Sequence, residues 1–113
     1  MSDCVFCRIV AGEIPAEVVH EGPRTMAFRD LSPQAPTHVL VVPRDHYEDA
    51  ASLAAADPAY LGEVLAAATE VAALEGLAEG YRLVTNTGPA AGQSVQHLHV
   101  HVLGGRSLSW PPG

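Results

Sequence analysis

Three histidines alternate with apolar residues near the end of the chain, in His97-Leu98-His99-Val100-His101. Imidazole titrates near neutrality, and its neutral form can attack an electrophile or move a proton. On a β-strand alternate side chains share a face, so His97, His99 and His101 lie together. Leu98, Val100, Val102 and Leu103 then supply the buried face and its far end. Fold building requires no such row of imidazoles. A single metal ion held by all three suits the spacing poorly. Residues i and i+2 of a strand lie about 6.5–7 Å apart and i and i+4 about 13 Å, whereas each zinc-bound nitrogen sits about 2.0–2.1 Å from the ion. At least one histidine must act otherwise. Nucleophilic or acid–base work fits better, with one ring attacking while a neighbour holds a phosphate's charge or orients it. Just upstream, the glycine-rich Gly88-Pro-Ala-Ala-Gly92 leads into Gln93-Ser94. Such a turn can aim backbone N–H groups at an anion, and the Ser94 hydroxyl can hydrogen-bond a leaving group.

Cys4-Val-Phe-Cys7 is the second constellation. A redox pair normally follows a strand in a βαβ setting, and none precedes it here. The pair can be two buried cysteines, or half of a structural zinc site that needs two further ligands.

Composition limits the partners. The chain has 113 residues, 48% hydrophobic and 17% charged, which suits one folded domain spanning 1–113 with a real core. A net charge of −7 argues against non-specific nucleic-acid binding. All six basic residues are arginine, so a phosphate site must use histidines, backbone N–H groups or arginines rather than a P-loop lysine. Apolar runs such as Val39-Leu-Val-Val42 are too short to span a bilayer, and no secretory signal is visible. Cytoplasmic residence, away from membranes, is the expectation.

The elements that must position these residues follow from capping and periodicity. A short helix is expected over 4–10, capped by Ser2 or Asp3 and ended by Gly12. Extended segments are expected over 17–20, 25–30 and 38–43, the first two joined at Glu21-Gly22-Pro23 as a hairpin. Residues 31–37, with prolines at 33 and 36, read as a loop. Asp57-Pro58 opens a long helix whose buried face is Leu61, Val64, Leu65, Ala68, Val71 and Ala72, with Gly76 as its stop. Strands over 81–86 and 97–103 flank the glycine-rich loop. The whole is an α+β domain: an antiparallel sheet of about five strands with one long and one or two short helices. His20 carries no assigned role. Arg8, Arg24, Arg29 and Arg82 read as surface, while Arg44 and Arg106 flank segments near the proposed site.

The segment His97-Leu-His-Val-His-Val-Leu103 resembles the motif of the histidine-triad family. Leu31-Ser-Pro-Gln-Ala-Pro-Thr-His38, Gly92-Gln-Ser94 and Gly104-Gly-Arg106 resemble it too, and Trp110-Pro-Pro-Gly113 is similar to the Hint-like branch. The likeness runs from Cys4 to the last residue. It implies a nucleoside phosphoramidase or nucleotidyl hydrolase in which His99 forms a nucleotidyl-histidine intermediate that water cleaves. By the same resemblance His101 and His38 assist at the phosphate, Asn86 supports the histidine network, and Gln93 and Ser94 contact the phosphate. Asp30 then accepts from the ribose hydroxyls, Phe6, Ile9, Phe28 and Leu31 line a base pocket, and Trp110 in the tail reaches toward a partner's site. Some bacterial members hold a structural zinc ion, and the corresponding ligands here are Cys4, Cys7, His46 and His97. The ligand implied is a purine nucleotide such as AMP or GMP, or its phosphoramidate, and the assembly implied is a homodimer. A nucleotide-binding module with little turnover, or a dinucleoside polyphosphate hydrolase, are the competing activities.

Overall fold

The computed structural model describes residues 3–113. Its strands are β1 (Val18–Glu21), β2 (Thr25–Arg29), β3 (Thr37–Pro43), β4 (Tyr81–Val84) and β5 (Val100–Gly104). They form one five-stranded sheet in the order β1-β2-β3-β5-β4, and every neighbouring pair is antiparallel. The helices are α1 (Val5–Val10), α2 (Ala50–Ala56) and α3 (Pro58–Leu74), with a 3-10 turn at Pro89–Ala91. This is the expected α+β architecture.

Alternation along the central strands gives the sheet two unlike faces. Val39, Val41, Val100 and Val102 pack under α3, together with Leu98, Ala27 and Leu53 of α2. Leu40, Val42, Met26 and Phe28 point the other way and are covered by Phe6 of α1. His38 on β3 and His101 on β5 have the parity of the α1 face, because their neighbours Val39, Val100 and Val102 face α3. The sheet thus divides its labour, with packing beneath α3 and the imidazoles on the side of α1.

Asp57 caps α3, its carboxylate accepting from Tyr60 N–H at 3.1 Å, and Pro58 occupies the first turn. The buried stripe of α3 is Tyr60, Val64, Ala67, Ala68, Val71 and Ala72. Leu61 is only half-buried, and Leu65, expected in that face, is 42% exposed. The register explains it: Tyr60, Val64, Ala67/Ala68 and Val71 are spaced by three or four residues, and Leu65 lies a further 100° round from Val64. Tyr60 also ties the helix to the hairpin, its hydroxyl donating to Arg24 O at 2.7 Å while the Arg24 guanidinium lies 3.8 Å over its ring.

Several boundaries differ from expectation, most of them by a residue; β4 ends at Val84 rather than at residue 86. The N-cap of α1 is Cys4, whose sulfur accepts from Cys7 N–H at 3.4 Å, rather than Asp3; Ser2 lies outside the described residues. α2 was not placed by periodicity, because its Ala-Ala-Ser-Leu-Ala-Ala-Ala stretch buries only Leu53. Most important, β5 begins at Val100, not at residue 97. Residues 95–97 form a bend, and Leu98 N–H donates to Tyr47 O at 2.7 Å, outside the sheet ladder. At the far end Gly105 has φ +90°, and a Cβ there would lie 2.9 Å from Pro36 Cβ, so glycine is required where β5 turns off. Among the described residues no helix is long and apolar enough to cross a membrane.

Candidate functional site

The histidines form two hydrogen-bonded pairs, His38 with His101 and His99 with the main chain of His97, and their proton positions follow from main-chain groups. Gln34 N–H, which can only donate, points at His38 Nδ1 at 3.0 Å. That nitrogen must accept, so in the neutral ring the hydrogen sits on Nε2. Nε2 lies 2.8 Å from His101 Nδ1 and donates to it, leaving His101 with an Nε2–H. The third ring is set the same way. His99 Nδ1 lies 2.8 Å from the carbonyl oxygen of His97, which can only accept, so Nδ1 carries the hydrogen and Nε2 keeps a lone pair. The rings of His99 and His101 are 5.0 Å apart. A nitrogen with a lone pair and an N–H donor therefore belong to neighbouring rings.

Electrostatics keep His38 and His101 neutral. Burial lowers the His101 pKa to about 4, helped by the neighbouring His99 and His38, with Asp30 opposing. Burial also lowers that of His38, against the pull of Asp30, whose carboxylate is 3.5 Å from Nε2.

Supporting contacts come from Thr85, which no side-chain pattern reveals, and from Arg106. Thr85 Oγ1 donates to His99 O at 3.0 Å. Arg106 Nη2 donates to Gln34 O at 3.0 Å, securing the loop whose N–H feeds His38. The Gly104-Gly-Arg106 turn thus braces the His38–His101 pair, whereas Arg44 is held at the β1–β2 hairpin by Gly22 O and Glu21. Asn86 is half-buried just past β4, and among the described residues it makes no hydrogen bond to a histidine; Thr85 is the neighbour that does.

Gln93 also sits differently from expectation. Its Oε1 accepts from Gly88 N–H at 2.8 Å, and its Nε2 donates to Glu48 O at 2.7 Å and Val95 O at 3.1 Å. A phosphate contact from this buried amide would require breaking one of those bonds, so its structural position is that of a strut in the loop. Ser94 is exposed, on a cavity of about 410 Å³ that Cys4, His46 and Val95 also line. Asp30 lies at the end of β2, with Oδ1 accepting from Ser32 N–H at 2.7 Å. Phe6 and Phe28 are buried with ring centroids 5.4 Å apart, and Ile9 packs beside them; this is a filled core layer rather than an open pocket. Leu31 is 98% exposed on the adjoining loop. Trp110 is 81% exposed in a tail that Arg82 of β4 holds through Ser109 O at 2.7 Å. His20, on β1, lies 3.3 Å from Glu70.

A second cluster lies beside the first. The ligand atoms of Cys4, Cys7, His46 and His97 are all within 4.8 Å of one another. His97 Nδ1 is 3.3 Å from Cys4 Sγ and 3.5 Å from Cys7 Sγ, and His46 Nδ1 is 3.4 Å from Cys7 Sγ. Tetrahedral zinc with bonds of about 2.3 Å to sulfur and 2.0–2.1 Å to nitrogen has S···N edges of about 3.5 Å. The four donors fit such an ion. His97 Nε2 donates to Pro43 O at 3.0 Å, which leaves Nδ1 as the ligand nitrogen, and burial lowers its pKa so that the ring is neutral. The Phe6 ring stands edge-on to both His97 and His99, at 5.9 and 5.1 Å, so α1 touches both clusters.

An antiparallel sheet with a neutral imidazole pair on one face and a Cys₂His₂ cluster at its entry defines a recognisable class. The HIT domain model matches residues 11–108. An uncharacterized HIT-like protein of Synechococcus elongatus is 52% identical over 111 residues, covering 98% of this chain and 97% of that protein. A 14 kDa zinc-binding protein of Zea mays is 48% identical over 115 residues, covering 99% and 89%. The crystal structure of a HIT family hydrolase from Legionella pneumophila superposes with a TM-score of 0.93 at 47% identity, covering 98% of this chain and all of that one. The chain belongs to the HIT domain family.

Proposed function

We propose that the protein hydrolyses nucleoside 5′-phosphoramidates, of adenosine above all, through a nucleotidyl-His99 intermediate, as a single HIT domain of the Hint-like branch. The observation that carries this reading is the tautomer pattern: His99 offers an Nε2 lone pair while His101, fed by His38, offers an Nε2–H on the neighbouring ring. His99 Nε2 attacks the phosphorus, and the P–N bond breaks. The amine leaves with its electron pair and takes up a proton from solvent, the Ser94 hydroxyl hydrogen-bonding it as it departs. His101 Nε2–H holds a non-bridging oxygen whose charge grows in the transition state. Water then attacks the phosphorus and loses a proton to solvent, the N–P bond breaks with its electron pair returning to His99 Nε2, and the nucleoside monophosphate departs. Asp30, at the end of β2, binds the ribose hydroxyls, with Asn86 beside the histidine network. Leu31, exposed on the loop after β2, meets the base, and Phe6, Ile9 and Phe28 support that side of the site as a packed core layer. The hydrolase named among the solved relatives supports a hydrolytic activity.

The Cys4, Cys7, His46 and His97 donors hold structural zinc in this reading, as in the zinc-containing bacterial type. Four protein ligands close the coordination shell, so the ion fixes structure and no step passes through it. The zinc-binding relative from Zea mays agrees. Thiols set as ligands suit a reducing compartment such as the cytoplasm. A homodimer completes the reading: β4 is an edge strand, Leu74 of α3 is exposed, and Trp110 projects on a tail.

The test is His99→Ala assayed on an adenosine 5′-phosphoramidate. Loss of at least about 10³-fold in kcat/KM, with no nucleotidylated protein on rapid quench, is expected. Undiminished turnover ends the reading. Nucleotide binding by the wild type without hydrolysis, or preference for a dinucleoside polyphosphate, would point to the competing activities.

A further inference from the structure

His97 takes part in both clusters at once. Its Nδ1 faces the two thiols, its Nε2–H is tied to Pro43 O, and its main-chain carbonyl receives the Nδ1–H of His99. It lies in the bend ahead of β5, so the sheet ladder does not hold its peptide unit. One main-chain hydrogen bond holds it, Leu98 N–H to Tyr47 O at 2.7 Å, and its other anchor is the completely buried His97 side chain. We infer that His97 is a positioning residue through which the metal cluster sets the nucleophile: an ion bound by Cys4, Cys7, His46 and His97 fixes the carbonyl that keeps His99 in its attacking tautomer.

This inference rests on the nucleotidyl transfer proposed above and adds a dependence to it. An imidazole whose Nδ1–H loses its acceptor divides between two tautomers, and only the form with a lone pair on Nε2 presents a nucleophile to the phosphate. The loss falls on the first chemical step rather than on nucleotide affinity, because base and ribose are held by other residues. Outer contacts that orient reactive groups are worth about 10–100-fold in activity.

The competing explanation is packing alone, since the His97 ring fills space beside Phe6. Two substitutions rank the explanations in opposite orders. His97→Cys removes most of the ring volume but keeps a ligand: the longer Zn–S bond offsets the shorter side chain, so an ion bound to a sulfur on Cβ lies nearly as far from Cβ as one bound to Nδ1, the ring nitrogen nearer the main chain. The site becomes Cys₃His, a common structural zinc set. His97→Phe fills the space and removes the ligand.

The experiment compares zinc-loaded wild type with both variants, each checked for fold by its amide 1H–15N spectrum and for zinc content. Two-bond 1H–15N spectra of the His99 ring report its tautomer, single-turnover mixing reports formation of nucleotidyl-His99, and calorimetry reports AMP affinity. Wild type and His97→Cys are expected to show one His99 tautomer, with hydrogen on Nδ1. His97→Phe is expected to show a mixture, a first step slowed about 10–100-fold relative to wild type and more than in His97→Cys, and unchanged AMP affinity. Phe equalling or surpassing Cys in tautomer purity and rate overturns the inference. Where His97→Phe does not fold, wild type from which zinc has been withdrawn decides. A mixture of His99 tautomers in folded apo protein upholds the inference. A single Nδ1–H tautomer overturns it, and so does unfolding of the whole chain, since the metal would then act on the fold rather than on His99. A wild type that forms no nucleotidyl-His99 defeats the proposed activity instead, and the tautomer spectra still judge the coupling.

Discussion

His38 on β3 holds its Nε2 2.8 Å from Nδ1 of His101 on the adjacent strand β5. Two imidazoles that share one hydrogen in this way cannot both take up a second proton without breaking the bond. Burial and mutual repulsion push the same way, with His101 lowered to about 4 and His38 lowered as well.

This pair predicts a pH dependence of stability. Below about pH 6.5 the unfolded chain protonates these histidines while the folded chain resists, so the unfolded state binds more protons. Their stabilising contribution is whole above that value and is lost as pH falls toward about 4. Thermal midpoints measured from pH 8 to pH 4 should be level and then fall, with a shallower fall in His101→Gln. Equal slopes in the two proteins would sink the assignment.

Gln93 separates a structural strut from a phosphate ligand. Gln93→Leu keeps the size and removes three hydrogen bonds, leaving Gly88 N–H, Glu48 O and Val95 O to find other partners. Denaturant unfolding should show a loss of at least about 2 kcal/mol, since buried groups left unpaired cost about 1–3 kcal/mol each. Weaker AMP binding at unchanged stability would show the phosphate role instead.

For the Cys₂His₂ cluster, protein purified without chelator should carry one zinc ion per chain by mass spectrometry or atomic absorption. Withdrawal of the ion should lower the thermal midpoint by more than about 5 °C, because a ligand that binds only the folded state stabilises it. Cys7→Ser should lose most of the metal. Absence of stoichiometric zinc from the wild type would defeat the site.

Two glycines should respond oppositely to alanine. Gly105 combines φ +90° with Pro36 Cβ 2.9 Å from any added Cβ, so Gly105→Ala should cost about 1–3 kcal/mol. Gly62, inside α3 with open space around it, should gain about 0.5–1 kcal/mol as Gly62→Ala. Chemical denaturation of both variants checks the pair.

The sequence by itself determined what depends on near neighbours. Alternation in His97–Leu103 placed two unlike faces back to back, Asp57-Pro58 announced α3, and the Glu21-Gly22-Pro23 turn announced the first hairpin. Chain-local caps and periods carry that information, and they carry little of what holds α2, where a run of alanines buries a single leucine. Tertiary structure decided the rest. The bend at residues 95–97 took His97 out of the strand and turned it to Cys4, ninety-three positions away. The tautomers were set by Gln34 N–H, Pro43 O and His97 O. Those are main-chain groups, which every residue possesses and which leave no mark on the pattern of side chains. Thus the row of histidines could be read as chemistry from its spacing, but the division of that row into a ligand, a nucleophile and a donor arises only when distant backbone is folded against each ring.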